Sequence, residues 1–482
     1  MPHSATLTAD IVILGAGSAG MSAYKAARRL TDSILVIEAG AYGTTCARVG
    51  CMPSKLLIAA ANAAHHALHA GRFGVQVDAV AIDGRAVMAS VRAERDRFVG
   101  FVVDDVEGWP EAHRVRGRAR FIGPNRLVLE DGRTIEAGRV VIATGSRPAW
   151  PQAWDALGDR LIVNDDVFDW QDLPASVAVF GNGVIGLELA QALHRLGVRI
   201  KLFGLGGSVG PLTDPAIVAA ARAAFAAEYR FAPDADVVSI SRDGDAVRIV
   251  ERIDGQLVEE TFDYLLAATG RRPNVVGLDL AAAGVSVDAR GLPLDWNRHT
   301  TRIANSSIFL AGDAAPDVPL LHEAADMGRI AGENAARHPM ATISNRRPAI
   351  GIVFSDPQIA MVGDSHRKLT DQGVAFVTGS VDFGGQGRAR VGGRNIGRLN
   401  LYAHAQTGQF LGAEMVGPAA EHIAHLLAWA LAAERSIQQM LDSPFYHPVI
   451  EEGVRTALRA ARDAMWAHSP AHQPCLDCRT AA

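Results

Sequence analysis

The sequence predicts an α/β protein made of two tandem doubly wound units followed by a C-terminal α+β domain. Three observations carry this expectation. A strand, a glycine-rich turn and a helix occur in that order twice, near Ile11 and near Val177. Each copy is echoed later by an apolar strand ending in Ala-Thr-Gly, at Ala143-Thr144-Gly145 and at Ala268-Thr269-Gly270. Past about residue 346 the pattern changes to strands, for example Ile396 to Tyr402, and then a helix, Ala419 to Ala433. Strands alternating with helices argue for parallel sheets with helices on both faces.

The first copy runs Ile11-Val12-Ile13-Leu14, then Gly15-Ala16-Gly17-Ser18-Ala19-Gly20, then an Ala-rich helical stretch. The second runs Val177-Ala178-Val179-Phe180, then Gly181-Asn182-Gly183-Val184-Ile185-Gly186, then Leu187-Glu188-Leu189-Ala190. In such a GxGxxG turn the first glycine permits a tight bend and the second lets backbone approach a pyrophosphate. The third lets helix and strand pack closely, with the phosphates at the helix N-terminus. One such turn is a weak signal; two, each after a strand and before a helix, predict two dinucleotide-binding (Rossmann-like) domains. Glu38 ends the strand Ile34-Leu35-Val36-Ile37, 18 residues after Gly20, where a carboxylate can accept hydrogen bonds from ribose hydroxyls. The same count from Gly186 reaches Gly204, so the second copy lacks that acid. It also has no Arg between Phe203 and Leu212 to hold a 2′-phosphate, which leans the expectation to NAD while leaving NADP open.

Pro148 to Pro151 reads as a crossing between units and Arg271 to Asn274 as the return. The expected domains are therefore 1–150 with 272–345, then 151–271, then 346–465, with 466–482 as a flexible tail. His338 to Pro348 reads as the linker to the third domain.

A chain of 482 residues suits roughly three domains. With 49% hydrophobic and 21% charged residues it has the balance of a globular protein. A net charge of −5 without a basic run argues against a nucleic-acid partner. No apolar stretch approaches the length of a membrane span, and no leader pattern precedes Ile11, so a cytoplasmic location is expected. The four cysteines form two close pairs, Cys46/Cys51 and Cys475/Cys478, which points to redox or metal chemistry rather than a disulfide scaffold.

Cys46-Ala47-Arg48-Val49-Gly50-Cys51-Met52-Pro53-Ser54-Lys55 is the most specific stretch. Residues five apart in a regular helix have Cα atoms about 8–9 Å apart, whereas a disulfide needs roughly 4.4–6.8 Å. The pair can close only if the helix start is distorted, for which Gly50 is suited. Two separate small buried cysteines remain the alternative from spacing alone. Zinc is disfavoured because no other Cys or His stands at ligand spacing.

These residues, with Thr44 and Thr45 before them, resemble the active-site motif of the class I pyridine nucleotide-disulfide oxidoreductases, nearest to the dihydrolipoamide dehydrogenases. The likeness runs from Ala9 to about Ala464. It includes both glycine turns, both Ala-Thr-Gly turns, Gly312-Asp313, and Leu321-His322-Glu323-Ala324-Ala325. It continues in Asp356-Pro357-Gln358-Ile359-Ala360-Met361-Val362-Gly363, which resembles the opening of the family's dimerisation domain. The resemblance implies FAD on the first unit, contacted by Gly15, Gly17, Gly20, Glu38, Lys55, Thr144, Gly145, Asp313 and Leu321. It implies NAD on the second, at Gly181, Gly183, Gly186, Glu188 and Gly270. Cys51 would be the thiolate facing the flavin, Cys46 the thiol that meets substrate, and Lys55 would pair with Glu188.

Ser443-Pro444-Phe445-Tyr446-His447-Pro448-Val449-Ile450-Glu451-Glu452 resembles the family's C-terminal His-Pro motif. Thiol–disulfide exchange needs a base and an acid, and a histidine of near-neutral pKa suits both. His447 oriented by Glu452 would supply them to the cysteines of the other subunit, which implies a homodimer. The family usually has a second His two residues before the catalytic one; here that position is Phe445.

The implied activity is FAD-dependent oxidation of a dithiol by NAD⁺ through a redox-active Cys46–Cys51 disulfide. The dithiol would be a small molecule or the lipoyl domain of a separate 2-oxoacid dehydrogenase-type complex. The alternative is an NAD(P)H-dependent reductase of another disulfide or of a metal ion, as in mercuric reductases. A non-catalytic FAD-bound scaffold would require a broken motif, and none of its residues is missing. His65, His66 and His69 are expected on a solvated helix face rather than as metal ligands. His422 and His425 are expected in packing or a subunit contact. Cys475-Leu476-Asp477-Cys478 is either a passive tail or a second thiol relay.

Overall fold

The structure is a computed structural model that describes residues 6–467, and strand counts are of those residues. Cys475 and Cys478 lie outside them. Short β-branched and apolar runs pair into three large sheets and two smaller ones, and the second and third large sheets share a core through Val353, Ile359 and Val416.

The first sheet has seven strands. Arg114–Arg116, Ile34–Glu38, Thr6–Leu14, Thr134–Ile142 and Ile308–Leu310 lie side by side in parallel. An antiparallel pair, Arg126–Leu129 and Ala119–Gly123, extends one edge. Its central strand carries Val12 and Ile13 fully buried, as a parallel sheet covered on both faces requires. Helices Ser18–Ala27 and Leu321–Arg337 pack on it and on each other. Their backbones come unusually close: a Cβ added at Gly328 would stand 2.1 Å from the carbonyl oxygen of Ala19.

The second sheet is wholly parallel, in the order Arg230–Ala232, Arg199–Phe203, Ser176–Phe180, Tyr264–Ala267 and Leu161–Ile162. Beside it lies a three-stranded antiparallel sheet, Asp236–Asp243, Ala246–Ile253 and Gln256–Phe262. Where the chain crosses between the two units, Ser146–Pro148 pairs antiparallel with Arg271–Pro273, so the outgoing and returning segments brace each other.

The third sheet is antiparallel: Ile350–Val353, Gln358–Gly363, Phe410–Gly417, Arg398–His404 and Phe376–Asp382. Helices Ala420–Ala432 and Glu452–Ala467 cover it. The expected strand Ile396 to Tyr402 is displaced to Arg398–His404, because Gly397, at φ 111°, turns the chain before pairing begins. The expected helix Ala419 to Ala433 is shorter by one residue at each end, and Ala419 caps it at φ 54°. No helix among the described residues is long and apolar enough to cross a membrane.

Gly328→Ala puts a methyl group against a backbone oxygen that cannot move alone. Overpacking of this kind costs about 1–3 kcal/mol, so thermal unfolding of the variant is expected at a lower midpoint than that of the parent. An unchanged midpoint would mean that the two helices can separate at no cost.

Candidate active site

The thiol pair sits at a break between two helices. Thr44, at φ 56°, accepts the Ala47 N–H on its hydroxyl (3.3 Å) and starts helix Thr45–Val49. Gly50 ends that helix, and helix Cys51–Leu68 begins immediately after it. A Cβ on Gly50 would stand 3.0 Å from the Thr45 carbonyl oxygen and 3.2 Å from the Cys46 Cα. The chain therefore folds back tightly over Cys46, and a side chain at position 50 would have to push its neighbours aside by a few tenths of an ångström. Cys46 and Cys51 are free thiols that share a hydrogen bond, a contact an unbroken helix would deny them. Asn164 holds the break from outside by donating to the Val49 carbonyl (2.8 Å).

The shared proton separates the two acidities. The hydrogen bond from Cys46 lowers the Cys51 thiol to about 7 against the opposing effect of burial, and the charge of Lys55 helps. The same hydrogen bond, with burial, pushes Cys46 up. The pair therefore holds one negative charge near neutral pH, centred on Cys51. Cys51 is also the first residue of an 18-residue helix, whose N-terminal dipole favours an anion.

Lys55, one turn further on, reaches Glu188 (Nζ–Oε2 2.8 Å) and lies 4.6 Å above the Phe354 ring. Glu188 is 4% exposed, and its other oxygen accepts the Phe354 N–H (2.9 Å). Three segments distant in sequence thus meet at one ion pair: the thiol helix, helix Val184–Arg195 behind the second glycine turn, and Phe354, just after the first strand of the third sheet.

Both glycine turns have the same build. Gly15 and Gly181 have φ of 105° and 118°. A Cβ on Gly20 or Gly186 would stand 1.8 Å from the carbonyl oxygen of Gly15 or Gly181, so helix and strand touch there. Around Gly17, Gly145, Gly183 and Gly270 nothing lies within 4 Å of a Cβ, leaving each turn open to an approaching group. Glu38 folds back onto the first turn and accepts the Ala16 N–H (2.8 Å) and the Gly40 N–H (2.7 Å). Asp313 accepts from the Ser146 hydroxyl (2.8 Å), which in turn accepts from Arg271 Nε (2.8 Å). Thr144 donates to the Asn274 carbonyl (2.8 Å). Leu321 opens helix Leu321–Arg337 and is exposed.

His447 and Glu452 form the expected pair, with Nδ1 2.9 Å from Oε2. Glu452 starts the helix Glu452–Ala467 and is held below the usual carboxylate range, first by His447 and then by the Val449 N–H and Arg455. Arg455 donates to its other oxygen (2.8 Å) and lies 5.7 Å from the Phe445 ring. The His447 side chain is 80% exposed, so in a single chain it faces solvent.

Phe354, Asn164, Ser146 and Arg455 were absent from the sequence expectation. Only Arg455 left a local signal, three residues after Glu452 on one helix face. The solvated-face expectation for His65 is corrected. Its Nδ1 is 3.7 Å from Glu228 and its ring stacks on His69 at 4.1 Å. Burial and the nearby Arg195 lower it to about 4. Among the described residues no group of three or more His, Cys, Asp or Glu is placed to hold a metal ion.

The pyridine nucleotide-disulphide oxidoreductase family model matches residues 9–328, and the dimerisation-domain model of that family matches 350–458. The chain is 30% identical to a dihydrolipoyl dehydrogenase of Halobacterium salinarum over 465 residues, 94% of this chain and 96% of that one. It is 28% identical to the dihydrolipoyl dehydrogenase of Geobacillus stearothermophilus, over 95% of this chain and 96% of that one. Among solved structures it resembles LpdA of Mycobacterium tuberculosis at 25% identity, with a TM-score of 0.78 over 94% of this chain and 99% of that chain. It shares its fold with the HOCl-induced flavoprotein disulfide reductase RclA of Escherichia coli, at 20% identity and a TM-score of 0.79, over 93% of this chain and 99% of that chain.

Removing the Cys46 donor tests the split acidity. In the reduced protein the thiolate absorbance of Cys51 is expected to titrate near pH 7, and in Cys46→Ala to move up toward the ordinary 9.0. An unmoved titration would show that Lys55 and the helix dipole suffice without the hydrogen bond.

Proposed function

The chain belongs to the pyridine nucleotide-disulphide oxidoreductases, flavoenzymes that bind FAD and NAD(P) and pair through their dimerisation domain, and within them we propose that it is a dihydrolipoyl dehydrogenase. It oxidises the dihydrolipoyl group of a separate 2-oxoacid dehydrogenase-type complex, or a small dithiol, and reduces NAD⁺. The observation that carries this reading is the hydrogen-bonded Cys46/Cys51 pair with its acidity divided toward Cys51.

The residues fit both cofactors: each glycine turn is open at its second glycine, and Glu38 lies against the first turn. Gly15, Gly17, Gly20, Glu38, Thr144, Gly145, Asp313 and Leu321 would hold FAD, with Lys55 beside the flavin. Gly181, Gly183, Gly186, Glu188 and Gly270 would line the nicotinamide side. When bound, FAD would supply two-electron transfer between the cysteines and the nicotinamide.

The remaining steps belong to the protein's own groups. His447 of one subunit removes a proton from a substrate thiol at the cysteines of the other, and Glu452 steadies the charged imidazole. The thiolate attacks Cys46 in the oxidised Cys46–Cys51 pair; a sulfur–sulfur bond to substrate forms, and Cys51 leaves as a thiolate. The second substrate thiol displaces Cys46, which releases the substrate as a disulfide and leaves Cys46 protonated. That product state is the one the acidities favour, with Cys46 as thiol and Cys51 as thiolate beside Lys55. Loss of the Cys46 proton and of two electrons, which NAD⁺ finally accepts, restores the Cys46–Cys51 disulfide and completes the cycle.

We take the working units as 1–150 with 272–345, 151–271 and 346–465, a division supported by the paired crossing strands at 146–148 and 271–273. A cytoplasmic location goes with this reading. Phe445, in place of the family's second histidine, favours a second reading, a reductase of another disulfide or of a metal ion.

Steady-state assays separate the two. The purified yellow protein is expected to oxidise dihydrolipoamide with NAD⁺. His447→Gln is expected to slow this by about 10²–10⁴-fold while sparing electron transfer from NADH to ferricyanide. No turnover of dihydrolipoamide, with the thiol pair still reducible by NAD(P)H, would sink the dehydrogenase reading and favour the reductase.

A further inference from the structure

The second nucleotide unit has no acid at Gly204, and its packing explains why. A Cβ on Gly204 would stand 2.6 Å from Asn182 Nδ2 and 2.7 Å from the Pro233 carbonyl oxygen. Asn182, the second residue of the glycine turn, fills that space and donates to the carbonyls of Ser208 (2.6 Å) and Pro233 (3.3 Å). No side chain can project from position 204.

A carboxylate arrives from the neighbouring strand instead. Arg230–Ala232 runs parallel to Arg199–Phe203, with Ala232 level with Phe203, so both strands end at the same edge of the sheet as the glycine turn. The two chain ends are laced together there: Gly204 N–H donates to the Ala232 carbonyl (2.8 Å), and Ala235 N–H to that of Gly204 (3.0 Å). Between them, exposed Asp234 accepts the Gly206 N–H on Oδ1 (2.9 Å). Among the described residues no donor reaches its Oδ2. Glu38 performs a similar act in the first unit, where it accepts the Gly40 N–H just beyond its own strand.

We propose that Asp234 reads the 2′-hydroxyl of the adenosine ribose of the pyridine nucleotide, in place of the missing acid at 204, and thereby selects NAD over NADP. A free carboxylate oxygen accepts a hydroxyl proton, and it repels the doubly charged phosphate that NADP carries at the same carbon. Arg222 is the competing group. Its guanidinium donates to the Gly207 carbonyl and occupies the space a Gly207 side chain would need. It therefore anchors the loop and serves both nucleotides alike. The inference rests on the NAD preference proposed above and is independent of the dithiol.

Redox-silent probes test it on the FAD-loaded holoenzyme. Calorimetric titration with ADP-ribose and with 2′-phospho-ADP-ribose reads the ribose site without engaging the thiols. The parent is expected to bind ADP-ribose more tightly. Asp234→Asn is expected to weaken ADP-ribose roughly tenfold and leave the phosphorylated probe equal or tighter, as loss of a hydrogen bond to a charged group implies. Arg222→Gln is expected to weaken both probes together. Asp234→Ser serves as the second variant if the Asn form loses FAD. An unchanged preference in the Asp234 variants overturns the proposal. So does a parent that prefers the phosphorylated probe and loses that preference in Arg222→Gln. Should dihydrolipoamide fail as a substrate while the Asp234 variants lose their preference, the dithiol reading falls and this one stands.

Discussion

The close return of the chain at Gly50 is the constraint on which the site depends. Without it Cys46 and Cys51 would lie on one continuous helix, too far apart to exchange a proton or form a bond. With it, the second helix starts at Cys51, which puts that sulfur at a helix N-terminus and Lys55 one turn behind it. The helix break at Gly50 thus accompanies the contact between the thiols and places Lys55 one turn beyond Cys51.

That local geometry is useful only if the three units are fixed relative to one another, and buried polar contacts do this. Glu188 joins the thiol helix to the third sheet through Lys55 and Phe354. Gln191, on the same helix, exchanges hydrogen bonds with Asp356 (2.7 Å each way). Glu414, fully buried in the third sheet, accepts the N–H groups of Thr213, Asp214 and His366. Asp214 then caps the helix Pro215–Ala226 and accepts from Asn400 and Tyr402. Burying such groups is costly unless every lone pair finds a donor, so the same contacts that hold the units together also forbid other arrangements. The loop carrying Gly204 to Gly210 lies just before this clasp in the chain, which ties the nucleotide edge to the dimerisation domain.

The sequence disclosed what depends on local rules. The paired glycine turns, Glu38 at a strand end, the thiol motif and the His447–Glu452 spacing are each short patterns with one geometric meaning, and the fold followed from their order. What stayed hidden depends on contacts between distant segments. Gly204 reads as a simple loss of an acid until Asn182 is seen filling its space and Asp234 is seen beside it, 30 positions later in the chain. His65 looks like a surface histidine because helical spacing says nothing of Arg195 and Glu228 coming from another unit. Phe354 carries no local mark at all, since its role under Lys55 comes from its place in space.

In the proposed mechanism the thiol pair of one chain works with His447 of its partner, and hybrid dimers are the sharpest test of that arrangement. Cys46→Ala and His447→Ala chains, each inactive in dihydrolipoamide oxidation as homodimers, are co-expressed with different tags and the mixed dimer is isolated. One of its two sites then combines intact cysteines with an intact histidine, so about half the parental activity per dimer is the result this account requires. A mixed dimer as inactive as its parents would contradict the shared site and return His447 to the surface of its own chain.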